Sequence, residues 1–496
     1  MAFDKSEGIS MRKLATMLLA GCASVAIVSA AEAGASDRNP AQEANDAKLR
    51  QLEQDIQDLQ GQVQDLKRSS ADQYTDIQNQ RASGVKVTLN NGRPTISGPD
   101  FTFSLRSLVQ FDTAYYGQST IPGGLDFASG SNFRRARFGF EGTAFDNWSY
   151  QFIYDFGGSG TEGSTISSAY LQYDGLAPVH IKAGAFPPPE NFDDSTSAGD
   201  LTFLERSQPG DLERSIAGAD GRKAFDLYAY DDRYFVSAAY TMGLVGDAAT
   251  YDQQQAFVGR AAYRIIAGDD ANLAIGADTT YVFKPADTSA GPNSPHLLRL
   301  RERPELNVDS NGYRLIDTGS SGIDSDSLLT WGIEAAGNWK NFYGQGGYFG
   351  YDLNRRPLGN PAGLPDPDFN GWYLQASWIL TGEAKPYRAN TGSFGSPKPA
   401  QNFTLDKGGW GAWEVAARYS DLNLNYNEGV FGKSTPVGGI RGGDQRIWSA
   451  GLNWYPNPII RLMLDYQHVD VSRLAGAGTS LDAKLDDVSL RLQLSL

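Results

Sequence analysis

Residues 101–112 read FTFSLRSLVQFD, and apolar and polar side chains alternate along this stretch. The apolar set is Phe101, Phe103, Leu105, Val109 and Phe111, and the polar set is Ser104, Arg106, Gln110 and Asp112. A period of two residues is typical of a β-strand, because successive side chains point to opposite faces. The stretch therefore predicts a strand with one apolar and one polar face.

The same alternation recurs along most of the chain. It is present in FRRARFGFEGTAF (133–145), AFVGRAAYRI (256–265), GAWEVAARYS (411–420) and PIIRLMLDYQ (458–467). A soluble β-sandwich also alternates, with its apolar side turned inward. Here about sixteen such segments follow one another with almost no helical pattern between them, which is typical of an outer-membrane barrel. The fold class that we predict is an all-β, antiparallel transmembrane barrel.

The links between segments support this prediction. Short links at 146–147, 175–178, 231–232, 268–271, 338–341 and 456–458 alternate with long loops such as 187–222, 353–368 and 421–443. In bacterial barrels, tight turns face one compartment and long loops face the other. Treating 284–326 as one loop gives sixteen strands, whereas counting LLRLRERPEL (297–306) as a strand gives seventeen and puts the chain ends on opposite sides. Sixteen is the consistent number, and a barrel of that size has an aqueous lumen.

Composition excludes several classes of function. The chain has 496 residues, with 58 Asp plus Glu against 43 Lys plus Arg, so nucleic-acid binding is not expected. The three histidines, His180, His296 and His468, are far apart in sequence, and Cys22 is the only cysteine. We expect no metal or other cofactor and no enzymatic activity, since no GxSxG or metal-ligand spacing is present.

The N-terminal residues resemble an export signal. Met11-Arg-Lys precedes an apolar run from Leu14 to Ala31, and Ala31-Glu-Ala33 follows. This order predicts a signal peptide over 1–33, with translation starting at Met1 or at Met11. A lipoprotein signal with an acylated Cys22 is the alternative, and the apolar sequence beyond Cys22 argues against it. No other stretch reaches the ~18 consecutive apolar residues of a membrane helix.

A heptad-like segment separates this signal from the strands. Between 45 and 80 the apolar residues are spaced 3, 4, 3, 4, 3, and they are Leu49, Leu52, Ile56, Leu59, Val63 and Leu66. This spacing predicts a short coiled coil that supports a trimer or dimer. A single amphipathic helix packed on its own domain is the alternative. We therefore divide the chain into 34–82, a periplasmic coiled-coil segment, 83–100, a linker, and 101–496, the barrel.

Arginines lie on the polar faces of several strands, and guanidinium groups bind oxyanions in a forked geometry. Arg299, Arg301 and Arg303 alternate, so in an extended segment all three side chains point the same way. Such arginines are also commonly solvated, or paired with carboxylates such as Asp112, Glu141 and Asp465.

Six stretches carry a family resemblance. They are GRPTISGPDFTFSLRSLVQFD (92–112), FRRARFGFEGTAFDNWSYQFIYDF (133–156), ISSAYLQYDGLAPVHIKAGAF (166–186), STSAGDLTFLER (195–206), LRLRERPELNV (298–308) and RLIDTG (314–319). In these the chain resembles the phosphate-selective porins O and P, from about Gly92 to the C terminus. The resemblance implies a trimeric, sixteen-stranded porin whose third and fifth loops fold inward. It also implies an arginine ladder that leads anions to a lysine-containing constriction.

The ladder positions that match are Arg106, Arg134, Arg135, Arg299, Arg301 and Arg303. Simple alternation places Arg134 outward, so either the strand begins after it or a bulge turns it inward. Two features depart from the family pattern at the constriction. Pro187 stands where a basic residue is usual, and the loop 187–222 has eight acidic residues against three arginines. An acidic constriction would oppose the passage of phosphate.

These observations predict an outer-membrane porin, a passive channel for small anions such as phosphate. The alternative is a general or cation-preferring diffusion porin. The expected partners are small anionic solutes, outer-membrane lipid and two further copies of the chain in a homotrimer.

Overall fold

The computed structural model describes residues 40–82, 84–90, 92–158, 164–406 and 408–496. The predicted signal peptide, Met11 and Cys22 lie outside the described residues. The chain divides after Ala82 into two compact units. In the described ranges, no helix is long and apolar enough to cross a membrane.

The first unit contains one long helix, α1 (Pro40–Ala82). The helix predicted over 45–80 is therefore present. The seam residues Leu49, Leu52, Ile56, Leu59, Val63 and Leu66 are between 51% and 69% exposed. A row of largely exposed apolar side chains at this spacing is typical of a helix that forms a coiled coil.

The second unit consists mainly of strands. Before the long loops they are β1 (Lys86–Asn90), β2 (Arg93–Ser97), β3 (Thr102–Thr120), β4 (Gly130–Ala144), β5 (Trp148–Asp155), β6 (Thr165–Leu176) and β7 (Val179–Ala185). Next come helices α2 (Phe192–Ser195) and α3 (Gln208–Ala217), then strands β8 (Arg222–Tyr230), β9 (Tyr234–Leu244), β10 (Gln255–Ala267) and β11 (Ala271–Lys284). Three two-residue strands follow, β12 (Leu297–Leu298), β13 (Arg301–Glu302) and β14 (Ile316–Asp317).

The remaining elements complete the sheet. They are β15 (Ile323–Trp339), β16 (Phe342–Arg355), a 3₁₀ turn (Pro357–Gly359), β17 (Asp368–Ile379), β18 (Tyr387–Arg388), β19 (Ser393–Phe394), β20 (Ala412–Tyr426), β21 (Ile440–Tyr455), β22 (Ile460–Ser472) and β23 (Ala483–Ser495). Sixteen of the described strands, β3–β11, β15–β17 and β20–β23, pair antiparallel in one sheet. The last strand, β23, pairs with the first strand of the barrel, β3, from Ser495 opposite Leu108 to Lys484 opposite Thr120, so the sheet closes into a barrel. The predicted fold class and strand number are confirmed.

The region predicted as a linker contains a hairpin that the sequence reasoning missed. Strands β1 and β2 pair with each other, and β2 also pairs antiparallel with β3, with Thr95 opposite Ser104. Arg93 on this hairpin donates to Glu141 on β4 at 2.9 Å. The chain is therefore joined to the barrel sheet before the first barrel strand begins.

The barrel is apolar outside and polar inside. Phe111, Phe138 and Leu464 are each at least 38% exposed on the outer face. Gln110, Arg135 and Asp465 face the lumen and are at most 2% exposed. This arrangement is the reverse of a soluble sandwich and suits a lipid environment around a polar interior. The alternation predicted from the sequence is confirmed on these strands.

All six predicted short links join neighbouring strands at one end of the barrel, which we call the turn end. The opposite end, which we call the loop end, has the long loops. One segment breaks the pattern, because residues 380–411 connect β17 to β20 at the turn end. Its Lys385 is 2% exposed and pairs with Glu414 on the lumen face of β20 at 2.9 Å. This turn-end segment therefore folds into the lumen, which the sequence did not indicate.

Candidate functional site

The third loop, residues 186–221, lies inside the barrel. Phe203 and Leu204 in this loop have no exposed surface. The backbone nitrogen of Leu204 donates to Asp465 on β22 at 2.8 Å, and that of Phe192 donates to Glu334 on β15 at 2.8 Å. On the wall strand β16, the Tyr351 hydroxyl donates to Pro209 O at 2.6 Å. The loop is thus attached to several wall strands and narrows the lumen, in agreement with the inward third loop that the resemblance implied.

Several acidic side chains of this loop hold it in place. Glu205 accepts from Arg134 at 2.8 Å and from Arg491 at 3.0 Å. Asp194 accepts from Arg214 within the same loop at 2.6 Å. Because these carboxylates are used in anchoring contacts, they are not free to repel anions, and the formal negative charge of the loop overstates its effect on the lumen.

Two further acids in the loop are buried. Burial raises the pKa of Glu190 and of Glu213 well above the usual value, and neighbouring carboxylates add to the effect. Both therefore favour their uncharged forms. For Glu205, burial alone would also raise the pKa, but Arg134, Arg135 and Arg491 together hold it well below the usual value. The charge of Glu205 is thus matched by arginines of the wall.

The fifth loop, residues 285–322, also folds inward. Its short strands β13 and β14 pair with each other. Glu305 is 3% exposed and binds Arg418 of the wall and the backbone nitrogen of Gln208 in the third loop. The segment 297–306 is therefore part of a lumen loop and not a transmembrane strand, as the sixteen-strand count required.

An outer cavity of about 540 Å³ lies towards the loop end. Nine arginines and five acidic residues line it. The arginines are Arg134, Arg135, Arg137, Arg214, Arg222, Arg299, Arg301, Arg303 and Arg314, and the acids are Asp155, Asp211, Asp220, Asp247 and Glu302. Positive charge therefore exceeds negative charge here, although the whole chain is acidic.

The structure brings five of the six predicted ladder arginines to this cavity. Arg299, Arg301 and Arg303 of the fifth loop line it together, as their alternation predicted. Arg134 reaches it through a β-bulge, because the register shifts between Gln110 opposite Arg135 and Phe111 opposite Phe133. Of the two explanations left open for Arg134, the bulge is the one observed. Arg299 is also paired with Asp317.

Arg106, the sixth, lies elsewhere. It is near the turn end of β3, 3.5 Å from Glu141, which also accepts from Arg93. Among the described residues, it lines neither the outer cavity nor a second cavity, of about 640 Å³, that lies towards the turn end. The alternation of side chains predicts the face of a strand on which a residue lies but not its height along the barrel.

An inner cavity of about 640 Å³ lies towards the turn end. Lys182 of β7 lines it, and the ammonium nitrogen lies 4.7 to 5.1 Å from the ring centroids of Phe186, Tyr228 and Tyr170. Arg388 of the turn-end segment also lines it and pairs with Asp200 of the third loop at 2.8 Å. The sequence reasoning missed both residues. The inward position of Lys182 in HIKAG could have been found by alternation, whereas that of Arg388 depends on a long-range fold.

The two cavities meet at three side chains, since Arg137, Arg214 and Asp220 line both of them. Arg137 is on the wall strand β4, and the other two are on the third loop. This is the place where the wall and the loop come together.

A closed barrel with an apolar exterior, a polar lumen and inward loops defines the class of outer-membrane porins. The chain belongs to the family described as "Phosphate-selective porin O and P", which matches residues 103–496. It is 26% identical to Porin O of Pseudomonas aeruginosa over 386 residues, which are 74% of this chain and 82% of that protein. It is 25% identical over 403 residues to an uncharacterized protein of Caulobacter vibrioides, covering 76% of this chain and 71% of that protein.

Solved porins align with about four fifths of the chain. An anion-selective porin from Comamonas acidovorans aligns with a TM-score of 0.46 and 11% identity, covering 80% of this chain and all of that one. OprB of Pseudomonas putida aligns with a TM-score of 0.48 and 9% identity, covering 80% of this chain and 94% of that one. The predicted porin function and family are confirmed by the family match, and the family is one of channels rather than enzymes.

Proposed function

We propose that this porin is a passive channel for small anions, with phosphate as one of its solutes. The observation that carries the proposal is the outer cavity, where nine arginines face five carboxylates. Fixed guanidinium groups replace the lost hydration of an oxyanion with paired hydrogen bonds, and they stay charged at every relevant pH. Membership of a family named for phosphate selectivity favours the same solute.

The six matched arginines have different roles in this proposal. Arg299, Arg301 and Arg303 collect anions in the outer cavity, and Arg134 and Arg135 lead towards the place where the cavities meet. Arg106 acts at the turn end, where an anion would leave the inner cavity. Pro187 stands where a basic residue is usual after the fifth strand, and Lys182 on that same strand lines the inner cavity and supplies a cation there instead.

The alternative, a general or cation-preferring porin, is supported by the five carboxylates of the outer cavity. The reversal potential of the purified porin in a planar bilayer, measured under a potassium chloride gradient, separates the two. We expect the reversal potential to shift towards the equilibrium potential of chloride. A shift towards the equilibrium potential of potassium would contradict the proposal and support the alternative.

We propose further that the turn end faces the periplasm and that α1 lies in that compartment. The first barrel strand begins at the turn end, and α1 precedes it in the chain. The exposed seam of α1 would be buried against the same helix of two further copies, which supports a homotrimer. Cleavage of a signal over 1–33 would begin the mature chain just before this helix.

A further inference from the structure

Asp220 occupies the point where the outer and inner cavities meet. A single oxygen atom, Asp220 Oδ2, lies 2.5 Å from Nη2 of Arg137 and 3.3 Å from Nη2 of Arg214. One guanidinium comes from the wall and the other from the third loop. An anionic oxygen held between two guanidinium groups is the arrangement expected of a bound oxyanion. Here the oxygen belongs to the protein.

Neither arginine needs Asp220 to stay in place. Arg137 also donates through Nε to Asp155 at 2.8 Å, and Arg214 donates through Nε to Asp194 at 2.6 Å. In both cases the second carboxylate uses Nε, and the Nη2 group is the one turned towards Asp220. The two Nη2 groups would therefore still converge on the same point if the Asp220 side chain rotated away.

The Asp220 side chain is also accessible, with 26% of its surface exposed to the cavities. Burial would raise its pKa, but Arg137 and Arg214 hold the pKa well below the usual value, so the group remains a carboxylate. The residues on both sides have left-handed backbones, with φ of 77° at Ala219 and 71° at Gly221. For an alanine this conformation is strained, and such strain is kept where the surrounding structure fixes a side chain in a particular position.

We propose that Asp220 is a tethered anion that occupies the anion site between Arg137 and Arg214, so that a permeating oxyanion must displace it. This inference rests on the proposed anion channel. A small, weakly coordinating anion such as chloride competes poorly with the tethered carboxylate, whereas an oxyanion can bind both guanidinium groups at once. Asp220 would thus lower the affinity for every anion and favour those that bind the two arginines together.

The competition has a measurable size. When a site is available for only a fraction of the time, the apparent dissociation constant rises by the inverse of that fraction. If the carboxylate leaves the site free about a tenth of the time, its removal should strengthen binding about tenfold. Asp220→Asn keeps the size of the side chain and removes its charge, and it leaves the Asp155 and Asp194 contacts of the arginines intact.

The experiment measures the block of chloride current by inorganic phosphate through the full-length porin in planar bilayers. We expect Asp220→Asn to lower the half-blocking phosphate concentration about tenfold, and Asp220→Glu, which keeps the charge, not to lower it. Asp247→Asn is the matched control, because Asp247 lines the same outer cavity but its carboxylate accepts from the backbone nitrogen of Leu244 at 2.7 Å and has no ion pair with Arg137 or Arg214 among the described residues.

Each outcome has a defined meaning. An equal effect of Asp220→Asn and Asp247→Asn, or an unchanged or weaker block in Asp220→Asn, would overturn the tethered anion while leaving an anion-selective wild-type channel intact. A cation-selective wild-type channel would instead contradict the proposed function itself. Should Asp220→Asn not insert, Asp220→Ser offers a second uncharged variant that carries the same expectation.

Discussion

Arg491 and Asp112 form a forked ion pair between the two strands whose pairing closes the barrel. The Nε and Nη2 atoms of Arg491 each lie 2.6 Å from one oxygen of Asp112, and each side chain is 1% exposed. The two residues are direct partners on the last and first strands, β23 and β3. Arg491 also binds Glu205 and the carbonyl of Leu204, so the closure of the barrel and the position of the third loop depend on the same side chain.

We therefore predict that Arg491→Ala destabilises the barrel strongly. Removing one partner of a buried pair leaves an uncompensated charge and costs about 3–5 kcal/mol. The free energy of unfolding in urea, followed by the heat-modifiable shift on a gel, would measure the loss. Lys484→Ala is the control. Lys484 is on the same strand as Arg491 and forms an ion pair with Asp470 of β22 at 3.3 Å, but both of these side chains are largely exposed. An exposed pair of this kind contributes less than about 1 kcal/mol, and a loss in Arg491→Ala no larger than that would contradict the prediction.

Replacing Arg299, Arg301 and Arg303 together by Ala should shift the reversal potential towards cations and weaken the block of chloride current by phosphate. The three side chains line the outer cavity and supply a third of its arginines. The matched triple replacement by Lys keeps the charge but loses the forked geometry, so it should keep anion preference and still weaken the phosphate block. Unchanged selectivity in the Ala variant would remove these residues from the pathway.

Anion preference should decrease between pH 7 and pH 9. Burial, with a contribution from Asp211, raises the pKa of Glu302 in the outer cavity to about 8. Below that pH the group is mostly uncharged, and above it the cavity gains a negative charge beside Arg301 and Arg303. Reversal potentials recorded across this range test the expectation. In Glu302→Gln this pH dependence should be lost, and an equal dependence in that variant would assign it to another group.

Deleting residues 190–218 should raise the single-channel conductance, because this part of the third loop fills the lumen. The deletion can be closed by the remaining loop residues, since Ala185 and Lys223 are direct partners on β7 and β8. Conductance in one molar potassium chloride would be compared with that of the intact porin. A conductance equal to that of the intact porin would place the loop outside the lumen.

The seam of α1 should stabilise the trimer. Deleting 34–82 is expected to leave a barrel that inserts, with a trimer that dissociates at a lower temperature on a native gel. Leu59→Asp places a charge in the seam and should have a similar effect, because charges are disfavoured in the apolar core of a coiled coil. Gln54→Asp, on the opposite face of the helix, adds the same charge and should have none. Equal dissociation temperatures for all variants would show that the seam has no role in assembly.

The sequence alone predicted the helix, the number of strands, the short links and the faces of the strands. It could do so because the alternation of side chains is a local property of a strand, and tight turns need few residues. Arg135 pointing inward and Phe138 pointing outward, for example, follow from the period of two.

Only the tertiary structure decided how the charges are used. From the sequence, Glu205 counts as one of the acidic residues of the third loop that would oppose anions. In the fold it pairs with Arg134, Arg135 and Arg491, which belong to strands far away in the chain. The position of Asp220 between Arg137 and Arg214, and the inward course of residues 380–411, depend likewise on contacts between distant segments. Such contacts form only when loops are closed against a completed barrel, so no local pattern records them.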